Sequence, residues 1–217
     1  MNIRDAIRQS KLYYFLGDPI YKLKGRFYDL RHQVLTAPEM PIRAHTISGP
    51  NGNSGAKYAG TEPRYFRKVL AELDLDFERY TFIDFGSGMG RALLLASESP
   101  FKRIVGVEFS KELHEIAVKN IAAFRSPARK CARVESVWQD AVAYPLPPEP
   151  SVFYLFNPFT PEMFAKFLAN VERSLTEHPR EVYLIYANPA HNNIFAASSF
   201  FDQIATGPWH TVHKAIS

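Results

Sequence analysis

An apolar run from Tyr80 to Phe85 carries one acid, Asp84, and leads into a turn holding Gly86, Gly88 and Gly90. Arg91 to Ser97 then reads as a helix. A strand, a glycine turn and a helix in succession build a nucleotide-cofactor site, because bare backbone can approach a ligand there. A strand–turn–helix whose glycines serve only tight packing shows the same local pattern. The spacing narrows the choice of cofactor. A dinucleotide turn needs Gly-x-Gly-x-x-Gly, with its third glycine at position 91. Arg91 stands there, and the glycines alternate instead. A carboxylate two residues before Gly86 repels a pyrophosphate and attracts an ammonium group.

The following segments keep the same rhythm. Lys102 to Phe109 is a second strand that ends in Glu108. An acid at that tip suits a ribose, since a carboxylate accepts hydrogen bonds from two neighbouring hydroxyls. Dinucleotide enzymes share this acid, so it supports a nucleoside without selecting the cofactor. Ala132 to Trp138 alternates as a third strand and is followed by Gln139-Asp140-Ala141. Val152 to Phe156 is almost purely apolar, as a central parallel strand should be, and it ends in Asn157-Pro158-Phe159.

Together these segments resemble the class I S-adenosylmethionine-dependent methyltransferases. They look like a bacterial group of undefined substrate within that superfamily, with a more distant similarity to the lysine methyltransferases that lack a SET domain. The resemblance covers about residues 57–217. It implies S-adenosylmethionine as cofactor, with Asp84, Gly86, Ser87, Gly88 and Gly90 around its aminoacid end. It implies Glu108 on the ribose, Phe109 on the adenine ring and Asp140 on the adenine amine. Asp140 also suits a helix N-cap, and the two roles are compatible. An aromatic and a hydroxyl residue before the first core helix often touch the cofactor in such proteins, which nominates Tyr58 and Thr61. Asn157 would orient the methyl acceptor, weakly favouring nitrogen, and Phe159 would line its pocket. Amino-group methyltransferases carry two prolines after this Asn where the present chain has one, which leaves nucleobase specificity open. As a bare sequence, Asn-Pro is also an ordinary turn.

The expected fold class is α/β: a Rossmann-like seven-stranded methyltransferase sheet with helices on both faces. Strands should end near 85, 108, 138, 157 and 187, with helices near 90–98, 110–125, 161–177 and 190–198. Phe200–Thr206 and Trp209–Ile216, split by Gly207-Pro208, should form an antiparallel C-terminal hairpin. Arg64 to Leu73 reads as a helix with Thr61 as its cap and Pro63 in its first turn. Two domains are expected: a basic helical extension with a loop over 1–56, and the cofactor-binding domain over 57–217. Within the extension, residues 2–16 and 21–34 read as helices. The Gly- and Pro-rich stretch 37–60 fits either a lid over the site or a plain connector.

Residues 1–70 carry 12 Lys/Arg and 5 Asp/Glu, whereas residues 71–217 carry 14 and 17. The basic third interleaves Tyr13, Tyr14, Phe15, Tyr21, Phe27 and Tyr28 with its cations. That suits an amphipathic cap with aromatics turned to the core, or a polyanion-binding segment. No apolar run approaches the ~18 residues of a membrane helix, and no secretory leader is apparent. A cytoplasmic protein without a membrane partner is therefore expected. Cys131, the single cysteine, excludes an intramolecular disulfide and reads as a buried thiol. No metal site is expected. His191-Asn192-Asn193, after the fifth strand, reads as a loop or as acceptor-pocket lining.

The function these features imply is methyl transfer from S-adenosylmethionine to an acceptor that is a small molecule, a protein or a nucleic acid. Two rivals stand beside it. One is a non-catalytic cofactor- or nucleic-acid-binding protein on the same fold. The other is an NAD-linked oxidoreductase, which Arg91 in place of the third glycine opposes.

Overall fold

The computed structural model describes residues 19–37 and 60–216. The expected helix at 2–16, most of the loop at 37–60 and Tyr58 lie outside the described residues. Seven strands form one sheet: β1 (Thr81–Phe85), β2 (Arg103–Glu108), β3 (Val134–Trp138), β4 (Ser151–Phe156), β5 (Val182–Ala187), β6 (Phe201–Thr206) and β7 (His210–Ala215). Their spatial order is β3-β2-β1-β4-β5-β7-β6. The first five are parallel, and β7 runs antiparallel between β5 and β6. The expected fold class and terminal hairpin are both present.

Burial explains the order. Every residue of β1 and β5 is buried, as is nearly all of β4, so these apolar runs take the middle of the sheet. The residues of β3 are half-exposed or exposed, and β3 pairs with β2 alone at one edge. One face of the sheet packs Phe82, Ile104, Tyr154 and Ile185 against Phe66, Val69 and Leu70 of α2 (Pro63–Glu72) and against α3 (Arg91–Ala96). The other face packs Ile83, Phe85, Phe153 and Leu184 against α5 (Pro161–Glu177). Helix α4 (Lys111–Ala123) follows β2 and is capped by Ser110, whose Oγ accepts from the Leu113 N–H.

Two local expectations change. The cap of α2 is Glu62, whose carboxylate accepts from the Tyr65 N–H at 2.7 Å. Thr61 turns inward instead and meets the Tyr154 hydroxyl at 3.3 Å. Residues Asn192–Ala197 form a 3-10 helix rather than an α-helix. Cys131 is buried as expected, and burial pushes its thiol pKa up.

The N-terminal extension contributes α1 (Pro19–His32), which is locked onto the turn after β1. Arg91, the first residue of α3, is 2% exposed and Asp29 is 7% exposed. The Arg91 guanidinium donates to Asp29 Oδ1 at 3.2 Å and, through Nε, to Thr36 Oγ1 at 2.6 Å. Thr36 Oγ1 in turn donates to Asp29 Oδ1 at 2.6 Å, and the N–H groups of Thr36 and Ala37 both reach Asp29 Oδ2 at 2.7 Å. Asn120 of α4 adds a second tie. Its amide donates to the carbonyls of Leu35 and Met89, each at 2.9 Å, and its Oδ1 accepts from the Leu35 N–H at 2.8 Å. A buried ion pair adds little net stability over an apolar replacement, but removing one partner strands a charge at a cost of about 3–5 kcal/mol. Tyr28 faces the core as expected of an amphipathic cap; Phe27 points to solvent, 66% exposed. No helix among the described residues is long and apolar enough to cross a membrane.

Candidate cofactor and acceptor site

Strand order reverses between β1 and β4, and in open α/β sheets the crevice at that switch point receives the ligand. The glycine turn sits on one side of it. Gly86, Gly88 and Gly90 all adopt positive φ, at 85°, 54° and 84°. The turn is fastened to β2 by the N–H groups of Gly86 and Ser87, which donate to the Val107 carbonyl at 2.8 and 3.2 Å. A Cβ on Gly86 would lie 2.7 Å from the Pro158 side chain, so the turn touches the tip of β4 directly. Gly106 is small for a related reason: a Cβ there would lie 2.6 Å from both Ser87 Oγ and Leu93 Cδ1.

Two carboxylates face this turn. Asp84 is 3% exposed and has no hydrogen-bond partner among the described residues. Burial, reinforced by the nearby Glu108 charge, raises its pKa well above the ordinary value. Glu108 is 2% exposed. Its Oε2 accepts from the Gly88 N–H at 2.7 Å and its Oε1 from the Ser110 N–H at 2.8 Å. Burial pushes its pKa up to about 7, against these backbone donors, which pull it down. Glu108 therefore anchors the turn, with the Phe109 backbone N–H as a third donor to its carboxylate, and acceptor capacity remains for one further donor. Ser87 Oγ is buried without a hydrogen-bond partner among the described residues.

Further along the same edge, Trp138 Nε1 donates to the Phe109 carbonyl at 2.9 Å, which ties the tips of β2 and β3 together. Asp140 Oδ1 accepts from the Val142 N–H at 2.9 Å, closing a turn rather than capping a helix. Thr61 is buried against β4 through Tyr154.

The tips of β4 and β5 are neutral. Asn157 and Asn188 each follow the last residue of their strand, each precede a proline, and both adopt left-handed backbone, with φ of 45° and 50°. Asn residues tolerate this conformation better than most. The Tyr186 hydroxyl donates to Asn157 Oδ1 at 2.9 Å and accepts from the His191 N–H at 3.3 Å. Phe159 is turned inward, 9% exposed, with its ring 5.4 Å from that of Phe167.

Asp84, the glycine turn, Glu108 and Asn157 are thus gathered at one crevice. Sequence reasoning passed over Tyr186 and Asn188. A signal for Asn188 was present, since Asn-Pro recurs after the next apolar run. Arg91 was read as a missing glycine, although its charge has a partner of its own in Asp29.

Residues 47–131, under half of the chain, match the family model described as histone methylation protein DOT1. No curated protein matches the sequence. Among solved structures, the glycopeptide N-methyltransferase MtfA superposes with a TM-score of 0.53 at 13% identity, covering 72% of this chain and 90% of that one. The PH0226 protein from Pyrococcus horikoshii OT3 gives 0.52 at 16% identity over 72% and 92%. A ribosomal protein L11 methylase from Lactobacillus delbrueckii subsp. bulgaricus gives 0.50 at 15% over 70% and 78%. Identities this low bear on architecture: the fold is that of the class I S-adenosylmethionine-dependent methyltransferases.

Proposed function

We propose that the protein transfers a methyl group from S-adenosylmethionine to an acceptor nucleophile. One observation carries this reading: Asp84 is buried, unpaired by hydrogen bonds among the described residues, and set beside a second buried carboxylate. Such a pair is costly unless a cation completes it. The ammonium of the cofactor's aminoacid end is a cation of fitting size, and the glycine turn leaves room for it against bare backbone. A pyrophosphate would meet repulsion at the same place.

When bound, the cofactor supplies a sulfonium-activated methyl group open to in-line displacement. The protein's own residues then align and desolvate. Asp84 holds the ammonium, Glu108 holds ribose and turn together, and Asp140 and Phe109 take the adenine. Asn157, fixed by Tyr186, orients the acceptor. Its Oδ1 keeps a second lone pair, which suits an N–H-bearing nucleophile and favours nitrogen. The match to a histone-methylation family model and the likeness to an N-methyltransferase are compatible with nitrogen.

Calorimetric titration with S-adenosylhomocysteine, beside Asp84→Asn, tests the cofactor assignment. Micromolar binding weakened roughly 10- to 100-fold in the variant is the expected result; a folded wild-type protein that binds none would overturn it and leave a non-catalytic protein on this fold. Tyr186→Phe should leave that affinity within about twofold while slowing labelled-methyl transfer into cell extract roughly tenfold. An equal fall in both would remove Tyr186 from the acceptor side.

A further inference from the structure

Helix α1 shows an unusual outer face. Leu23, Phe27 and Leu30 are 68%, 66% and 80% exposed, and Leu35 just beyond is 52% exposed. At about 100° per residue the first three fall within a ~60° stripe. Exposed Lys24 and Arg31 flank the stripe on one side and Arg26 on the other. The helix's single acid, Asp29, is turned inward onto Arg91. The outward face therefore carries apolar groups and cations with no acid among them. Loose docking does not account for it, because the inner face is held by Asp29 and by His32, whose ring centroid lies 5.2 Å from that of Phe124, tilted by 34°.

The cations continue onto a second element. His32 Nδ1 lies 2.9 Å from the Arg125 carbonyl, so the loop after α4 adjoins the end of α1. From Ile121 to Arg133 that stretch contains no acid, and Arg125, Lys130 and Arg133 are exposed. The loop beside α1 is thus basic as well, while Lys24, Arg26 and Arg31 are the cations that border the stripe itself.

We propose that this surface docks the protein on an anionic lipid bilayer, with the leucines and Phe27 inserted at the headgroup boundary and the cations reaching lipid phosphates. Other occupants fit less well. A second copy across a two-fold axis would set Lys24, Arg26 and Arg31 against the same cations. Residues 1–18 hold three cations and two acids, a net positive balance that does not complement a basic face. A nucleic acid would engage the cations and leave the leucines in water. A bilayer has both a plane of negative charge and an apolar interior. A peripheral surface of this kind needs no spanning segment.

Vesicle co-sedimentation of the full chain tests the proposal. Vesicles of phosphatidylcholine with about 30 mol% phosphatidylglycerol should bind at least roughly tenfold more protein than phosphatidylcholine alone. The triple change Leu23→Ser, Phe27→Ser, Leu30→Ser should lose that binding, as should Lys24→Ser, Arg26→Ser, Arg31→Ser. Circular dichroism and S-adenosylhomocysteine affinity, which the docking surface does not touch, serve as checks that both variants stay folded. Four results would overturn the proposal: no preference for anionic vesicles; binding indifferent to the apolar triple and competed away by single-stranded RNA; binding that arises only after residues 1–18 are removed; or a dimer by light scattering that the apolar triple converts to monomer.

Discussion

Two aspartates lie buried close to the glycine turn and lead opposite lives. Asp29 is met by a guanidinium, a hydroxyl and two backbone N–H groups. Asp84 meets no donor among the described residues and faces another acid. The first is a structural charge, satisfied within the fold. The second is a charge held ready for something the chain does not supply. Burial is the same in both cases; what separates structural from functional acid is whether the fold provides the counter-charge.

That contrast can be broken in order of expected size. Asp29→Ala should cost about 3–5 kcal/mol of folding stability by leaving Arg91 buried and unpaired. Chemical denaturation measures this, and Asp29→Leu with Arg91→Met should recover most of the loss. Glu108 sharpens the other side. Its folded pKa of about 7 exceeds the ordinary 4.5, so the folded state holds this proton more tightly than the unfolded one. The stability it contributes is complete below about 4.5 and is lost as pH rises through 7. Ligand-free wild type should therefore lose up to roughly 3 kcal/mol relative to Glu108→Gln across that window. The widening gap between the two unfolding curves is the readout, and parallel curves would refute an uncompensated carboxylate. Asp84→Asn should weaken S-adenosylhomocysteine binding by about 1.5–3 kcal/mol without destabilising the free protein. If it unfolds the protein as Asp29→Ala does, the two acids belong to one class. The smallest effect is expected at Asn188. Alanine in its left-handed backbone should cost about 1 kcal/mol, and glycine should cost nearly nothing, by thermal unfolding.

Legibility tracked sequence distance. Asp84, the glycines and Glu108 were readable because strand, turn, helix and strand follow one another, and each residue type is required by its immediate neighbours. The strands from β1 to β7 were readable because their apolar runs are short and cleanly bounded. Thr61 was misjudged as a cap because Glu62 beside it serves equally well, and a buried tyrosine hydroxyl at position 154 drew the threonine inward. Asp29, Asn120 and Tyr186 could not be read at all. Their roles depend on partners 62, 85 and 29 positions away, and no local period reports such a pairing.

The lock between α1 and the turn has a consequence for synthesis. Asp29 leaves the ribosome before Arg91 has been made, and Asn120 comes later still. At roughly 5–20 residues per second, the nascent helix waits several seconds for its counter-ion. Throughout that interval the carboxylate must remain hydrated and the inner face of the helix uncovered. The first segment translated among the described residues is thus among those that cannot settle until the middle of the chain exists.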